Sequence, residues 1–148
     1  MNIKVKIKLS NKALPIPKYQ TSGSAGMDLV ADIEKPVLIK PGETVLISTG
    51  ISIQPQSDDF VAYVFARSGL ASKHGITMAN CVGVIDSDYR GVIKCPVINL
   101  GKEDYVIEPY QRIAQLVFMP VCKADLEVTE NIDDSDRGTG GFGSTGEY

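Results

Sequence analysis

The chain has 148 residues, 43% of them hydrophobic, and a formal net charge of −3. That is enough to bury one core and too little for two cores joined by a linker. The charge balance lacks the basic excess with which a protein neutralises a phosphate backbone, so no nucleic-acid polymer is expected as a partner. No apolar run is long enough for a signal peptide or a membrane span, which points to a soluble, cytoplasmic protein with no membrane partner.

In chain order, Ile3, Val5 and Ile7 alternate with Lys4, Lys6 and Lys8, the period of a half-buried strand. In AGMDLVAD from residue 25, Asp28 stands among apolar residues that read as buried. A carboxylate there needs a partner, and a structural salt bridge or cap competes evenly with a place in a metal's hydration shell. Val45, Ile47, Ile51 and Ile53 keep strand spacing through TVLISTGISI, and FVAYVFA, ITMANCVGVI, GVIKCPVINL and RIAQLVFMPV are further β-rich runs broken by Gly, Pro or polar clusters. Many short strands with few helical periods imply an all-β sandwich, jelly roll or small barrel.

One segment departs from this pattern. SGLASKHG at 68–75 predicts about two turns of helix, with Ser68 as its cap and Gly75 ending it in a left-handed conformation. The N–H groups behind Arg67 and Ser68 could hold an anion, although an ordinary cap and a surface cation explain the two residues equally. His74, the only histidine, reads as solvated near the helix end with no catalytic part. A multi-histidine metal cage is thereby excluded, so a divalent ion would be a hard one, magnesium carried on phosphates. Cys81, Cys95 and Cys122 form no C-x-x-C pair and read as small core residues in a reducing compartment.

DSDYRG lies between the apolar residues Val84 and Val92, which predicts a hairpin with a polar tip, a favourable place for a site. Asp86 and Asp88 there are either turn residues or a proton acceptor. An aspartate with its usual pKa of about 3.9 is a weak base at neutral pH, so burial or a like-charged neighbour would have to raise it. Gln115 interrupts IAQLVF and on alternation faces solvent. From Asn131 the chain carries five glycines and almost no aliphatic residues, too little apolar surface to offset the entropy of ordering. Gly138, Gly140 and Gly143 have the G-x-G-x-x-G spacing without the strand, helix and acidic residue of a dinucleotide site. Arg137, the glycines, Ser144 and Thr145 could instead wrap an anion, or the segment could be a solubilising tail. Phe142 favours a lid, because an aromatic ring can stack on a base. The expected organisation is a β core over 1–130 and a flexible glycine-rich arm over 131–148.

Taken together, AGMDLVAD at 25, RSGLASKHGI at 67, NCVGVIDSDYRG at 80, QRIAQLVF at 111 and RGTGGFGSTG at 137 resemble the five ordered motifs of the homotrimeric dUTP pyrophosphatases (dUTPases). The resemblance implies a jelly-roll homotrimer with sites between subunits, the arm reaching a neighbour's site, and magnesium riding on the triphosphate. It implies hydrolysis of dUTP to dUMP and pyrophosphate by attack of water on the α-phosphorus, which limits uracil in DNA and supplies dUMP for thymidylate synthesis. By position, Asp86 resembles the general base and Asp28 the acidic residue behind the metal's water shell. Asn80, with backbone from Cys81 through Gly83 to Ile85, resembles the uracil reader, and Tyr89 the aromatic beneath the deoxyribose. Arg67, Ser68, Gly69 and Gln115 match phosphate-binding positions, and Arg137, Phe142, Gly143, Ser144 and Thr145 match the lid. Two positions depart from the pattern: Ala66 where many relatives carry proline, and Tyr110 where small or charged residues are more usual. A dCTP deaminase-like enzyme and a non-catalytic nucleotide-sensing module are the competing readings; the first would need a core glutamate base that has no evident counterpart here.

Overall fold

The structure is a computed structural model, and it describes residues 2–141. Among these, eleven strands and a single short helix follow one another: β1 (Val5–Leu9), β2 (Met27–Val30), β3 (Val37–Ile39), β4 (Thr44–Ser48), β5 (Ile51–Pro55), β6 (Phe60–Ala66), α1 (Ser68–His74), β7 (Ile76–Met78), β8 (Val82–Ile85), β9 (Lys94–Asn99), β10 (Tyr105–Ile107) and β11 (Arg112–Pro120). Every ladder is antiparallel. The largest sheet has the order β2-β11-β6-β8, a second the order β4-β9-β7, and β1-β5 and β10-β3 form two-stranded ribbons. The result is the all-β, jelly-roll-like architecture expected from the many short strands.

Alternation explains how the sheets share a core. Register sets Ala114 opposite Ala66 and Leu29, and Leu116 opposite Val64, and these side chains meet Ile47, Cys95 and Val97 of the second sheet in a single cluster. Leu29 and Leu116 are at most 2% exposed, and burying a side chain of that size contributes about 1.5–3 kcal/mol. Two polar side chains inside the core tie strands to the loops that cross them. Thr49 donates to the Ile93 carbonyl (2.8 Å), and Asn99 donates to the carbonyls of Ile39 (2.9 Å) and Glu103 (2.8 Å), so neither polar group is buried without a partner.

Four local expectations change. The run TVLISTGISI is two strands in different sheets, broken at buried Thr49 and at Gly50, whose φ of 67° is left-handed. The DSDYRG segment is not a hairpin tip: β8 pairs only with β6 and β9 only with β4 and β7, so the turn carries the chain from one sheet to the other. The helix begins at the expected place and ends at Gly75 with φ 70°, but its N-cap is Arg67 in extended geometry and no side chain caps it. Ser68 therefore occupies the first helical position, where its hydroxyl is not the cap. Of the cysteines only Cys95 belongs to the core; Cys81 and Cys122 are exposed. Burial pushes the Cys95 thiol up to about 12, because a thiolate there would lose its hydration.

Regular structure ends at Pro120, and residues 121–139 are exposed throughout. Leu126, Val128 and Ile132 on this stretch are 88–99% exposed.

Candidate functional site

The outward face of the β2-β11-β6-β8 sheet carries two of the side chains singled out in the sequence, Asp28 and Gln115, with Arg67 following β6 at the same end. Register places Asp28 opposite Gln115, Gln115 opposite Phe65, and Phe65 opposite Val82. These four side chains therefore form one row across the sheet, since alternate residues of a strand share a face. The next row brings Val117, Tyr63 and Val84 together.

At the polar end of the first row the side chains bind one another. Asp28 Oδ1 accepts from Arg67 Nε at 2.8 Å, and Asp28 Oδ2 accepts from an Arg112 terminal nitrogen at 3.2 Å. Arg67 also donates to the Arg112 carbonyl (3.3 Å). The Gln115 amide nitrogen donates to the Ala66 carbonyl at 3.0 Å, which fixes the orientation of the amide. Its carbonyl oxygen lies over Gly26, where an added Cβ would come within 2.8 Å of it. Asp28 is a half-buried carboxylate salt-bridged to one arginine from the helix start and one from β11. Two guanidinium groups around one carboxylate leave a net positive corner, as an anion site requires. Arg112 was not singled out from the sequence. Its signal was available, since β11 begins at Arg112 and Asp28 stood in need of a cation.

Asp86 lies elsewhere. It follows β8 at the end remote from this corner, four residues beyond Val82, a span of about 13 Å along a strand. The Tyr89 N–H donates to the Asp86 carbonyl (3.1 Å), and the Arg90 guanidinium donates to the carbonyls of Ser87 (2.7 Å) and Tyr89 (3.1 Å), so the turn is braced by its own residues. Asp86 is exposed and borders two cavities. One, of about 320 Å³, is walled by Leu46, Val84, Ile85, Tyr89, Ile93 and Lys94. The other, of about 550 Å³, opens toward Tyr63, Asp88, Asp58 and Lys123. There Lys123 hydrogen-bonds Asp58, holding that carboxyl below and its own ammonium above their ordinary values.

Asn80, Cys81 and Gly83 sit before and within β8. The Cys81 φ of 62° makes a tight turn closed by the Val82 N–H on the Asn80 carbonyl (2.7 Å), and the Asn80 amide nitrogen lies 3.7 Å from where a Gly83 Cβ would stand. β8 is the edge of its sheet, so alternate N–H and C=O groups along it have no strand partner on the outer side. Ser68 and Gly69 are exposed at the start of α1, and nothing within 4 Å would meet a Cβ on Gly69. Arg137 starts an exposed turn, its Nε donating to the Gly140 carbonyl (2.9 Å), well separated in sequence from the last strand. Phe142, Gly143, Ser144 and Thr145 lie outside the described residues. His74 is exposed as expected, its ring centroid 5.0 Å from that of Tyr105.

No group of three His, Cys, Asp or Glu suited to a metal occurs among the described residues, and none of their helices is long and apolar enough to cross a membrane.

The fold and these side chains define a class, an all-β protein with a cationic corner suited to an anion on one sheet face, and comparison with known proteins gives the family. The dUTPase family model matches residues 12–146. The deoxyuridine 5'-triphosphate nucleotidohydrolase of Desulfitobacterium hafniense is 50% identical over 98% of this chain and 97% of its own length. That of Sodalis glossinidius is 45% identical over 97% of each. Among solved structures, a Staphylococcus bacteriophage 80alpha dUTPase with dUPNHPP superposes with a TM-score of 0.87 at 26% identity, over 97% of this chain and 98% of that one. The chain belongs to the dUTPase family.

Proposed function

We infer that the chain hydrolyses dUTP to dUMP and pyrophosphate, and we propose that it does so in a homotrimer whose sites are shared between subunits. Family membership and the relatives' names support the reaction. The observation that supports the shared site is the separation of the two halves of the chemistry. The arginine-rich corner of Asp28, Arg67, Arg112 and Gln115 and the Asp86 turn stand at opposite ends of one sheet face, with Tyr63, Phe65, Val84 and Val117 between them. Val84 is 59% exposed on that face, and Leu126 and Val128 on the following segment are more than 90% exposed. The row of Val117, Tyr63 and Val84 is the apolar surface on this face that a neighbouring subunit would cover in the proposed assembly. In such an assembly one copy's Asp86 meets another's arginine corner, and the arm from Arg137 through Phe142, Gly143, Ser144 and Thr145 closes over a neighbour's site.

In this reading the open edge of β8, with Asn80 and the backbone around Gly83, pairs with the uracil edge. A site that satisfies uracil leaves its own groups unpaired against cytosine, a rejection of about 10⁴-fold in comparable cases. Tyr89, which walls the smaller cavity beside Asp86, packs beneath the deoxyribose. Asp86 takes the proton of the water that attacks the α-phosphorus, while Arg67, Ser68, Gly69 and Gln115 hold the phosphates. Arg137 and the arm then align the leaving pyrophosphate and exclude bulk water.

The donor set fits a magnesium ion carried by the substrate. Asp28 already has one arginine on each oxygen, which suits it to hold a water of the ion's shell better than the ion itself. Bound there, magnesium would offset triphosphate charge and orient the α-phosphorus.

Mixing two inactive variants tests the shared site. Asp86→Asn and Arg67→Ala chains, co-expressed in equal amounts, should recover about a quarter of wild-type turnover in pyrophosphate release, because one site in four combines the intact halves. Recovery of nothing would place both residues in a single-chain site.

A further inference from the structure

Gly91 has no conformational reason to be glycine, since its φ does not lie in the left-handed region. Its reason is space. A Cβ built on Gly91 would stand 2.3 Å from the Tyr89 hydroxyl oxygen, 2.5 Å from its Cζ and 3.0 Å from its Cε2, so the phenol ring lies directly on the Gly91 backbone. The ring is held there: its hydroxyl donates to the Val92 carbonyl at 3.2 Å, across Gly91. The turn beneath it is braced by the Tyr89 N–H on the Asp86 carbonyl and by Arg90 on the Ser87 and Tyr89 carbonyls. Tyr89 lines the 320 Å³ cavity together with Asp86, and Gly91 does not. The ring, and not the glycine, is thus the member of this contact that walls the cavity.

We propose that Gly91 is a positioning residue for substrate selection: its bare backbone sets how deep the Tyr89 ring sits, and so how much room the smaller cavity leaves for the sugar. This rests on the reading of Tyr89 as the wall beneath the deoxyribose. A methyl group at position 91 needs ordinary carbon contact of about 3.5 Å from the ring, so Cζ must move by about 1 Å, and with it the wall that Tyr89 gives the cavity. The Asp86 carboxylate is not displaced by this, so the loss falls on sugar binding and not on the proton transfer.

A double-mutant cycle tests it with the full-length protein, measuring steady-state hydrolysis of dUTP for Gly91→Ala, Tyr89→Ala and the pair. Gly91→Ala should raise KM about tenfold while kcat changes by less than about threefold. In the Tyr89→Ala background the same glycine change should alter KM by less than about twofold, because the ring it displaces is gone. An equal rise in both backgrounds, or no rise in the otherwise unaltered chain, overturns the proposal. If Tyr89→Ala alone leaves KM unchanged, the sugar-wall reading fails, and the proposal fails with it by a separately recognisable result. If Gly91→Ala instead lowers the melting temperature too far to assay, the pair must recover it, since the clash is with the ring; a pair as unstable as Gly91→Ala alone overturns the assignment.

Discussion

The two ends of the β2-β11-β6-β8 sheet solve opposite problems. At one end Asp28, Arg67, Arg112 and Gln115 are joined to one another or to the main chain by bonds of 2.8–3.3 Å, so the protein's own groups set the geometry of the corner. At the other end Asp86 is exposed, and the bonds around it brace the main chain of its turn and leave the carboxylate out. The difference teaches where each end gets its order. The cationic corner is organised within one fold, whereas in the proposed assembly the carboxylate acquires its surroundings from substrate and a neighbouring copy.

The comparison is broken most directly at the carboxylate. Asp86→Asn should slow pyrophosphate release by about 10² to 10⁴-fold while calorimetry shows a non-hydrolysable dUTP analogue still bound. Normal turnover would remove Asp86 from the chemistry.

Cutting the chain before Arg137 should come next in size. Turnover should fall about tenfold or more, while the melting temperature moves by less than about 2 °C, because the described part of that segment buries little. A truncated chain that unfolds would show that the arm belongs to the core.

Arg112→Ala sharpens the contrast from the other side. Asp28 keeps Arg67, so the expected result is a rise in KM of about threefold to tenfold with stability changed by no more than about 1 kcal/mol, Arg112 being half in solvent.

The smallest effect is on thiol chemistry. A disulfide reagent should modify Cys81 and Cys122 in the native protein and spare Cys95 until unfolding, since burial holds its thiol protonated to about 12. For the same reason the Cys95 contribution to stability is constant below pH 9.0, where an unfolded thiol titrates, and is lost as pH rises toward about 12.

What could be read in advance followed physical periodicity. Alternation located the strands and Gly75 marked the end of α1, because those signals depend on neighbours in sequence, whereas the expected Ser68 cap lies one residue inside the helix. The DSDYRG turn was misread as a hairpin because a turn between two strands looks the same whether or not the strands pair; only tertiary register separates the cases, as β8 joining β6 and β9 joining β4 and β7 shows. Gln115 was read as solvent-facing on alternation, and it does point outward, but toward Ala66 and Gly26. Arg112 escaped notice because its partner Asp28 is 84 residues away in sequence. The ordered motifs carried the family, while the distribution of the site along the sheet became visible only in three dimensions.

The outer edge of β8 presents main-chain groups that are identical whatever side chains the strand bears. Replacing Val82 or Val84 would therefore leave its lettering unchanged. If, as proposed, the base docks there, an engineer wishing to retune which heterocycle is accepted has to alter the path of the peptide itself, by insertion, deletion or a new bulge, and ordinary point substitution along the strand offers little purchase.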